Sequence, residues 1–356
     1  MNREGTPIFG SLRHRVGKDA RRRSTRRKLL LGAAGWPVLA WAEIVYAQKP
    51  TKVWRVGFLT SGSGPVSLDP ANPSSFNAFI QGMRELGYVE GQNLLIERRF
   101  AESKIERLPG MAEELVRLKV DVIVTGGTPA TRAAQQATRT IPIVFGSAGD
   151  PVGSGLVKSL PRPGGNITGR SLISSDVDPK LLDILLSVAP KLPRVAYLMN
   201  PGNLSSIATL KHLQAAAQKR GIRILPFEVK TSAQIDDVFA MMSGQNAEAV
   251  IVSLDSLFNQ QRRRIVDLAA KHRLLSIAAT STFAEAGGLI GYGQIIADNY
   301  RHVASYVDRI FKGAKPAELP VEQPTTFEFV VNLKTAKALG ITIPEKLLLR
   351  ADRVIE

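Results

Sequence analysis

Residues 121–134 read DVIVTGGTPATRAA, and the pattern of this stretch indicates an α/β fold. A short β-branched run leads into Gly126 and Gly127, and an alanine-rich segment that favours a helix follows Pro129. The same design recurs at residues 141–151, IPIVFGSAGDP. A strand that ends in small residues at the start of a helix leaves backbone N–H groups exposed, so both stretches are interpreted as places that hold a ligand.

Short β-branched runs alternate with helical periodicity along the chain. We predict strands at residues 55–59, 94–99, 120–124, 141–145, 194–198, 223–227, 249–253, 275–278 and 289–292. We predict helices at residues 75–86, 105–118, 129–137, 179–188, 204–219, 233–242, 259–271 and 297–311. The tail adds a strand at 327–333, a helix at 333–339 that Gly340 ends, and a last helical turn near 347–349. This alternation is typical of α/β proteins whose parallel sheets carry helices on both faces.

The alternation first breaks at residues 161–166, PRPGGN, with a similar number of strand–helix units on either side. We therefore place a domain boundary there and predict two doubly wound parallel-sheet lobes. Such sheets bind ligands at the carboxyl ends of their strands, so two lobes predict a shared cleft. Two further breaks follow, a glycine cluster at 286–288 and the segment 313–316.

Residues 1–47 have the composition of an export signal. They hold 10 of the 47 Lys and Arg residues and 3 of the 31 Asp and Glu residues, a net charge of +7 within a total of +16. Residues 25–30, TRRKLL, resemble the twin-arginine consensus, and the apolar run 29–41 is about half the length of a membrane span. Small residues in VYA predict cleavage after Ala47. An arginine-rich Sec signal and an uncleaved membrane anchor remain as alternatives.

The sequence contains no cysteine. Disulfides, thiolate catalysis, thiolate metal ligation and lipid attachment through an N-terminal cysteine are therefore excluded. We expect a monomer that is free in the periplasm without a lipid anchor. With 44% apolar and 6% aromatic residues among 356, the composition suits a well-cored α/β protein.

The sequence offers no catalytic or cofactor motif. It has no Gly-x-x-x-x-Gly-Lys-Ser/Thr phosphate loop, no Gly-x-Gly-x-x-Gly after the first strand and no Gly-x-Ser-x-Gly elbow. The histidines show no metal-ligand spacing: they are His14, His212, His272 and His302. The basic run 262–264 is interpreted as a solvated helix face. We expect no enzymatic activity, no cofactor, no metal and no nucleic-acid partner.

Candidate ligand-binding residues in the first lobe follow its strand ends. They are Thr60, Ser61, Gly126, Gly127, Thr128, Gly146, Ser147 and Asp150. A helix that begins at Pro129 would offer N–H groups and the positive end of its dipole to a carboxylate, and Gly126 and Gly127 would permit close approach. Thr128 has a second interpretation as a plain N-cap, and Asp150 as a residue that only fixes its own loop.

Candidate residues in the second lobe are Asn200, Ser253, Asp255, Thr280, Glu285 and Tyr292. Asp255 or Glu285 would accept the ammonium group of an amino acid. Each also has a structural interpretation, Asp255 as the cap of the helix predicted near residue 259 and Glu285 as a solvated helix residue. Tyr292, between two glycines, would offer its ring or hydroxyl to a ligand or serve in packing.

Two long segments resemble one known family. Residues 125–169, from TGGTPATRAA to PRPGGNITG, and residues 292–356, from YGQIIADNY to LLLRADRVIE, resemble ABC-transporter substrate-binding proteins that include tryptophan- and tyrosine-binding members. The likeness extends from about residue 53 to residue 356. It implies a type I periplasmic-binding-protein fold with a three-stranded hinge and no catalysis. It also implies lobe boundaries: residues 52–164 plus 288–312 form the N-terminal lobe, and residues 165–287 plus 313–356 form the C-terminal lobe.

Together with the leader, the resemblance implies the periplasmic solute-binding component of an ABC import system. Its lobes would close on a small ligand, an amino acid or a related carboxylate, and deliver it to an inner-membrane ABC permease. The same lobes would equally serve a periplasmic sensing module that reports to a membrane receptor or kinase. Nothing in the sequence separates these two functions.

Overall fold

The computed structural model describes residues 52–64, 74–172 and 177–356, which belong to one compact unit. The predicted export signal, its cleavage position and its twin-arginine motif lie outside the described residues. Among the described residues, no helix has both the length and the apolar character that crossing a membrane requires.

The first half of the chain forms a parallel sheet with helices on both faces. Its elements are β1 (Trp54–Thr60), α1 (Ser75–Glu85), β2 (Leu94–Phe100), α2 (Leu108–Arg117), β3 (Val122–Gly126), α3 (Thr128–Ala137), β4 (Ile143–Gly149) and β5 (Ile167–Leu172). The strand order is β2-β1-β3-β4-β5. All five residues of β3 are buried, as a central strand of β-branched residues predicts.

The second half forms a larger sheet. Its elements are α4 (Val177–Val188), β6 (Arg194–Met199), α5 (Leu204–Gln218), β7 (Arg223–Glu228), α6 (Ile235–Gly244), β8 (Ala249–Val252), α7 (Ser256–Gln260), α8 (Arg262–Lys271), β9 (Leu275–Ala278), α9 (Ser281–Glu285) and β10 (Ile290–Gly293). After α10 (Ile296–Phe311), the tail adds β11 (Glu328–Asn332), α11 (Leu333–Leu339), α12 (Glu345–Leu348) and β12 (Arg353–Ile355). Short 3-10 turns cover Ile105–Arg107, Ser232–Gln234 and Pro316–Glu318.

The second sheet has the order β12-β11-β10-β9-β8-β6-β7. Only the β10–β11 pair is antiparallel among the described strand pairs of this sheet. The helix α10 packs against α1 and β4 and so belongs with the first sheet. We call the first sheet with α1, α2, α3 and α10 the first lobe, and the second sheet with its helices the second lobe. The predicted α/β class with parallel-sheet lobes is confirmed.

Apolar clusters cover both faces of each sheet. In the first lobe, one cluster contains Phe58, Phe79 and Val303 from β1, α1 and α10, and the opposite face carries Leu115 and Ala134 from α2 and α3. In the second lobe, separate clusters likewise cover the two faces of the sheet. Burial on both faces explains why the strands read as continuous apolar runs rather than as alternating ones.

Three predicted lobe boundaries are displaced in the structure. The segment 161–166 connects β4 to β5 rather than lobe to lobe, because β5 pairs with β4 in the first sheet. The chain does not leave the second sheet before residue 288 but after β10, which pairs with β9 and β11. It does not return at residue 313, because Glu322 still bridges to Arg170 of β5. The crossovers therefore follow β5, β10 and Glu322.

Local predictions failed where the sequence signal is short. The strands β5 and β12 and the helix α9 were not predicted: β5 contains a glycine, an arginine and a serine, and β12 and α9 have three and five residues. The helix predicted at 259–271 is two helices, α7 and α8. Gly340 ends α11 as predicted, with a φ of 73° in the left-handed region that favours glycine.

A buried carboxylate joins α4 to α5. Asp178, in the first turn of α4, is 4% exposed, and its Oδ2 atom lies 3.2 Å from Nδ1 of His212 on α5. Burial raises the pKa of Asp178 to about 6, although hydrogen bonds from His212 and Thr209 act in the opposite direction.

This raised pKa predicts a pH dependence of stability. The carboxyl group of Asp178 binds its proton more tightly in the folded protein, so its contribution to stability is complete below about pH 4 and is lost as the pH rises through about 6. In urea unfolding, the free energy of unfolding should decline between pH 4 and 7.5. This decline should be roughly 2 to 3 kcal/mol smaller in Asp178→Asn than in the unmodified protein.

The matched control is Asp183→Asn on the same helix, where the carboxylate is 44% exposed and paired with Arg220. This variant should keep the pH profile of the unmodified protein. Equal pH slopes in the unmodified protein and in Asp178→Asn would contradict the assignment.

Candidate functional site

Each sheet has a point at which the strand order reverses. In the first sheet, β1 lies between β2 and β3, and Thr60 pairs with Gly126 at the carboxyl ends of β1 and β3. In the second sheet, β6 lies between β7 and β8, and Asn200 and Ser253 directly follow β6 and β8. Open parallel sheets bind ligands at such positions, because the loops diverge there and leave a crevice.

The two crevices face each other. Ser61, which follows β1, places its Oγ atom 2.7 Å from Oγ of Ser256 at the start of α7. Ser61 is 3% exposed, so this hydrogen bond between the lobes is well shielded from water. The loop that follows β1 and the loop that follows β8 therefore meet at this hydrogen bond.

A second contact between the lobes lies beside the first. A Cβ atom added to Gly149 of β4 would lie 2.7 Å from Cβ of Ser205 on α5. Likewise, a Cβ atom on Gly202 would collide with Cδ1 of Ile105 in the first lobe. Small residues at these positions let the lobes approach closely, so we call the Gly149–Ser205 and Gly202–Ile105 contacts the closure seam.

Thr60 and Thr128 use their hydroxyl groups within the first lobe. Thr60 Oγ1 accepts a hydrogen bond of 3.1 Å from the N–H group of Gly62. Thr128 Oγ1 accepts one of 3.1 Å from the N–H group of Gly149. The N-cap interpretation of Thr128 is wrong, because Gly127 occupies the cap position with a φ of 89° and Thr128 is the first residue of α3.

Gly126, Gly146 and Ser147 surround the side chain of Tyr300 from α10. A Cβ atom on Gly126 would lie 2.7 Å from the Tyr300 hydroxyl, and one on Gly146 would lie 2.7 Å from Cζ of its ring. Ser147 Oγ lies 2.9 Å from the Tyr300 hydroxyl and accepts a hydrogen bond of 3.1 Å from the N–H group of Gly127. These two glycines thus admit Tyr300, whereas the sequence interpretation reserved Gly126 for the approach of a ligand.

Asp150 fixes its own loop. Its Oδ1 atom accepts a 2.9 Å hydrogen bond from the N–H group of Gly153, and its carbonyl oxygen accepts from the N–H and the hydroxyl of Ser154. The φ of 37° at Asp150 matches the tolerance of aspartate for this left-handed region. Of the two interpretations of this residue, the loop role is the one with contacts in the structure.

Asp255 caps α7 and gathers the loops of the second lobe. Its carboxylate accepts hydrogen bonds of 2.9 Å from the N–H group of Leu257, 3.0 Å from Asn203 Nδ2 and 3.4 Å from Asn200 Nδ2. Burial raises its pKa, although these three hydrogen bonds lower it. The helix begins at Ser256, three residues earlier than predicted, so Asp255 is its N-cap.

Ser253 and Thr280 line a pocket at the carboxyl ends of β8 and β9. Ser253 Oγ accepts a 3.4 Å hydrogen bond from Ser206, and the hydroxyls of Thr280 and Thr282 lie 3.0 Å apart. The apolar part of the pocket is formed by Val252, Phe258, Ala278 and Phe283. The polar part includes Ser253, Asp255, Asn259, Arg262, Thr280 and Thr282.

Glu285 and Tyr292 both contact the C-terminal tail. Glu285 forms an ion pair with Arg353 of β12, at the far edge of the second sheet, because the tail folds back along β11. Tyr292 stacks on Phe327 with ring centroids 5.8 Å apart and meets Phe329 edge-on. Its ring is therefore a packing element of the second sheet, the second of the two roles that the sequence allowed.

The sequence interpretation missed several residues that line the crevice or lie beneath it. Ser256, Ser205, Asn203 and Tyr300 were not candidates, although Ser256 and Asn203 lie within three residues of predicted ones. No group of three or more His, Cys, Asp or Glu side chains able to hold a metal occurs within residues 52–64, 74–172 and 177–356.

Comparisons with known proteins agree with this architecture. A family model described as ABC transporter substrate binding protein matches residues 66–355. A tyrosine-binding protein of Clostridioides difficile (strain R20291) is 27% identical over 276 residues, which cover 77% of this chain and 78% of that protein.

Two solved structures show relatives in different states. An ABC domain from Streptococcus pneumoniae in complex with L-Trp is 26% identical, covers 85% of this chain and 99% of that chain, and gives a TM-score of 0.76. The ligand-free, open structure of a substrate-binding protein with adhesive properties from Clostridium difficile is 25% identical with coverage of 85% and 99%, but its TM-score is 0.60.

The fold is that of type I periplasmic binding proteins. Since the family model matches most of the chain, this protein belongs to the ABC transporter substrate-binding protein family.

Proposed function

We propose that this chain is the exported solute-binding component of an ABC import system, which closes its lobes on an amino acid or a related carboxylate and delivers it to a membrane permease. The observation that carries the proposal is the meeting of the two strand-order reversals, joined by the hydrogen bond between Ser61 and Ser256. A ligand at this position would be enclosed by loops of both lobes, so ligand binding and closure would be coupled.

The proposed ligand is an aromatic amino acid. Two relatives, one named for tyrosine and one solved with L-Trp, point to this class. In this chain, the pocket is lined by Phe258 and Phe283, which are buried in the core of the second lobe, and by Ser253 and Thr280. We propose these two rings as the apolar side of the ligand site. An amphipathic ligand would place its apolar side chain on these rings and its polar groups toward the hydroxyls and amides of the loops.

The carboxylate of the ligand is assigned to the start of α3. The first N–H groups of a helix have no intrahelical acceptor, and the helix dipole favours a negative charge there. The loop of Gly126 and Gly127 leads directly into this first turn, which lies beside Ser61 at the contact between the lobes. The ammonium group is assigned to the second lobe, with Asp255 as its nearest carboxylate in the pocket.

Binding of aromatic amino acids is the test of the proposed function. The mature chain, residues 48–356, should bind L-tryptophan or L-tyrosine in isothermal titration calorimetry. Tryptamine lacks the carboxylate and indole-3-propionate lacks the ammonium group, so each should bind at least about tenfold more weakly than L-tryptophan. A titration series in which no amino acid and no small carboxylate binds would contradict the proposal.

Delivery to a permease is a separate part of the proposal. A strain that lacks this gene should lose uptake of the amino acid that the purified protein binds. Unchanged uptake together with an altered receptor or kinase response would instead assign the chain to a sensing module.

Closure is expected to be sensitive to the seam. Gly149→Ala places a methyl group 2.7 Å from Ser205 Cβ, across the contact between the lobes. Overpacking of this kind costs about 1 to 3 kcal/mol, so ligand affinity should fall about 5- to 150-fold while the melting temperature of the ligand-free protein changes little. Calorimetry measures the affinity, and small-angle scattering with ligand measures the closure.

The matched variant adds Ser205→Gly to Gly149→Ala. Removing Cβ of Ser205 relieves the collision, so the double variant should regain most of the lost affinity. Equal losses in the single and double variants would show that the seam does not limit closure.

Export is expected to use the twin-arginine route. The motif depends on both consecutive arginines, so replacing Arg26 and Arg27 by Lys should abolish periplasmic accumulation while the protein remains detectable in the cytoplasm. Fractionation followed by immunoblotting measures the distribution. Undiminished periplasmic accumulation would favour the Sec route instead.

A further inference from the structure

Tyr300 is a fully buried residue at the candidate site that has no direct path to a ligand. It is 2% exposed, and it projects from α10 to the carboxyl ends of β3 and β4. Its ring packs against Gly146, and its hydroxyl lies against Gly126. The residue thus lies beneath the glycine loop to which the ligand carboxylate is assigned.

The hydroxyl of Tyr300 belongs to a chain of three hydrogen bonds. The N–H group of Gly127 donates to Ser147 Oγ over 3.1 Å, the hydroxyls of Ser147 and Tyr300 lie 2.9 Å apart, and Tyr300 donates to the carbonyl oxygen of Thr125 over 3.4 Å. All three hydrogen bonds form together when the Ser147 hydroxyl donates to the Tyr300 oxygen, because each hydroxyl then donates once and accepts once. Burial raises the pKa of Tyr300 to about 12, so the phenol stays protonated and can donate.

The chain of hydrogen bonds begins and ends on the same short stretch of backbone. Gly127 supplies the first donor and Thr125 the final acceptor, so these hydrogen bonds hold the residues on either side of Gly126. Thr60, Ser61 and Thr131 donate to the carbonyl oxygens of Gly126 and Gly127, so the glycine loop has several side-chain partners. Tyr300, which belongs to the apolar core, is the partner that reaches the loop from α10. Consecutive hydrogen bonds of this kind also polarise and strengthen one another.

The helix that carries Tyr300 starts at a crossover between the lobes. The segment between β10 and α10 contains Gln294, whose Oε1 atom accepts a 3.2 Å hydrogen bond from Asn299 Nδ2. Both side chains are buried, at 5% and 2% exposure. Asn299 is the neighbour of Tyr300, so the first turns of α10 connect the crossover to the glycine loop.

We propose that Tyr300 is a positioning residue for ligand binding: it does not touch the ligand but holds the loop of residues 125–127, through Ser147, in the conformation that receives the ligand. This inference rests on the proposed function and extends it to a residue outside the crevice. The same geometry explains why glycine occupies positions 126 and 146, since a Cβ atom at either would collide with Tyr300.

The test is Tyr300→Phe, which keeps the ring and removes the hydroxyl. Affinity for the amino acid that the unmodified protein binds should fall about 5- to 10-fold, the usual effect of one buried hydrogen bond. In the ligand-free protein, hydrogen exchange measured by NMR should be faster at the Gly127 amide, while amides of the second lobe keep their rates.

Tyr306→Phe is the matched control. Tyr306 lies on the same helix, is 1% exposed, and donates a 2.9 Å hydrogen bond to the carbonyl oxygen of Pro320, away from the glycine loop. This variant loses an equivalent phenol hydroxyl, so it should leave both the affinity and the exchange of Gly127 unchanged. Ser147→Ala interrupts the same chain and replaces Tyr300→Phe if that variant does not fold.

The possible outcomes are distinct. Weaker binding and faster Gly127 exchange in Tyr300→Phe alone would support the proposal. Equal affinities of Tyr300→Phe and the unmodified protein, equal losses in Tyr300→Phe and Tyr306→Phe, or unchanged Gly127 exchange would each overturn it. If the unmodified protein binds no amino acid, the proposed function fails, whereas the exchange of Gly127 still decides whether Tyr300 holds the loop.

Discussion

The site depends on the absence of a Cβ atom at the carboxyl ends of β3 and β4. At Gly126, Gly146 and Gly149, an added Cβ atom would lie 2.6 Å from Thr60 Oγ1, 2.7 Å from Tyr300 Cζ and 2.7 Å from Ser205 Cβ. These distances are below ordinary contact, so any other residue would force a displacement. The three glycines therefore bring together three separate elements: the neighbouring strand, the core helix α10 and the opposite lobe.

Most of the fold was predictable because its strands are buried on both faces. A central strand such as β3 must consist of small or β-branched apolar residues, and this requirement is visible in a single sequence. The strand β5, ITGRSL, gave no such signal, because it contains a glycine, an arginine and a serine. Without it, the break at residues 161–166 was taken for the junction between the lobes, although it lies inside the first one.

The region of the site was predictable, but the use of each side chain was not. The carboxyl ends of parallel strands share one edge of a sheet, so strand order alone located the loops. The partners of a polar side chain are often remote in sequence. Ser147 contacts Tyr300, which is 153 residues away, and Glu285 contacts Arg353, which is 68 residues away. Asp255 and Asp150 could be interpreted locally, because they accept hydrogen bonds from Leu257 and Gly153, two and three residues later.

The internal use of first-lobe hydroxyls has an evolutionary consequence. Thr60, Thr128 and Ser147 accept hydrogen bonds from backbone N–H groups of the first lobe, and these bonds do not involve a ligand. Under the proposed function, duplicated copies of this gene can diverge toward new nutrients by exchanging pocket residues of the second lobe, such as Phe258 and Asn259, while inheriting the first lobe unaltered.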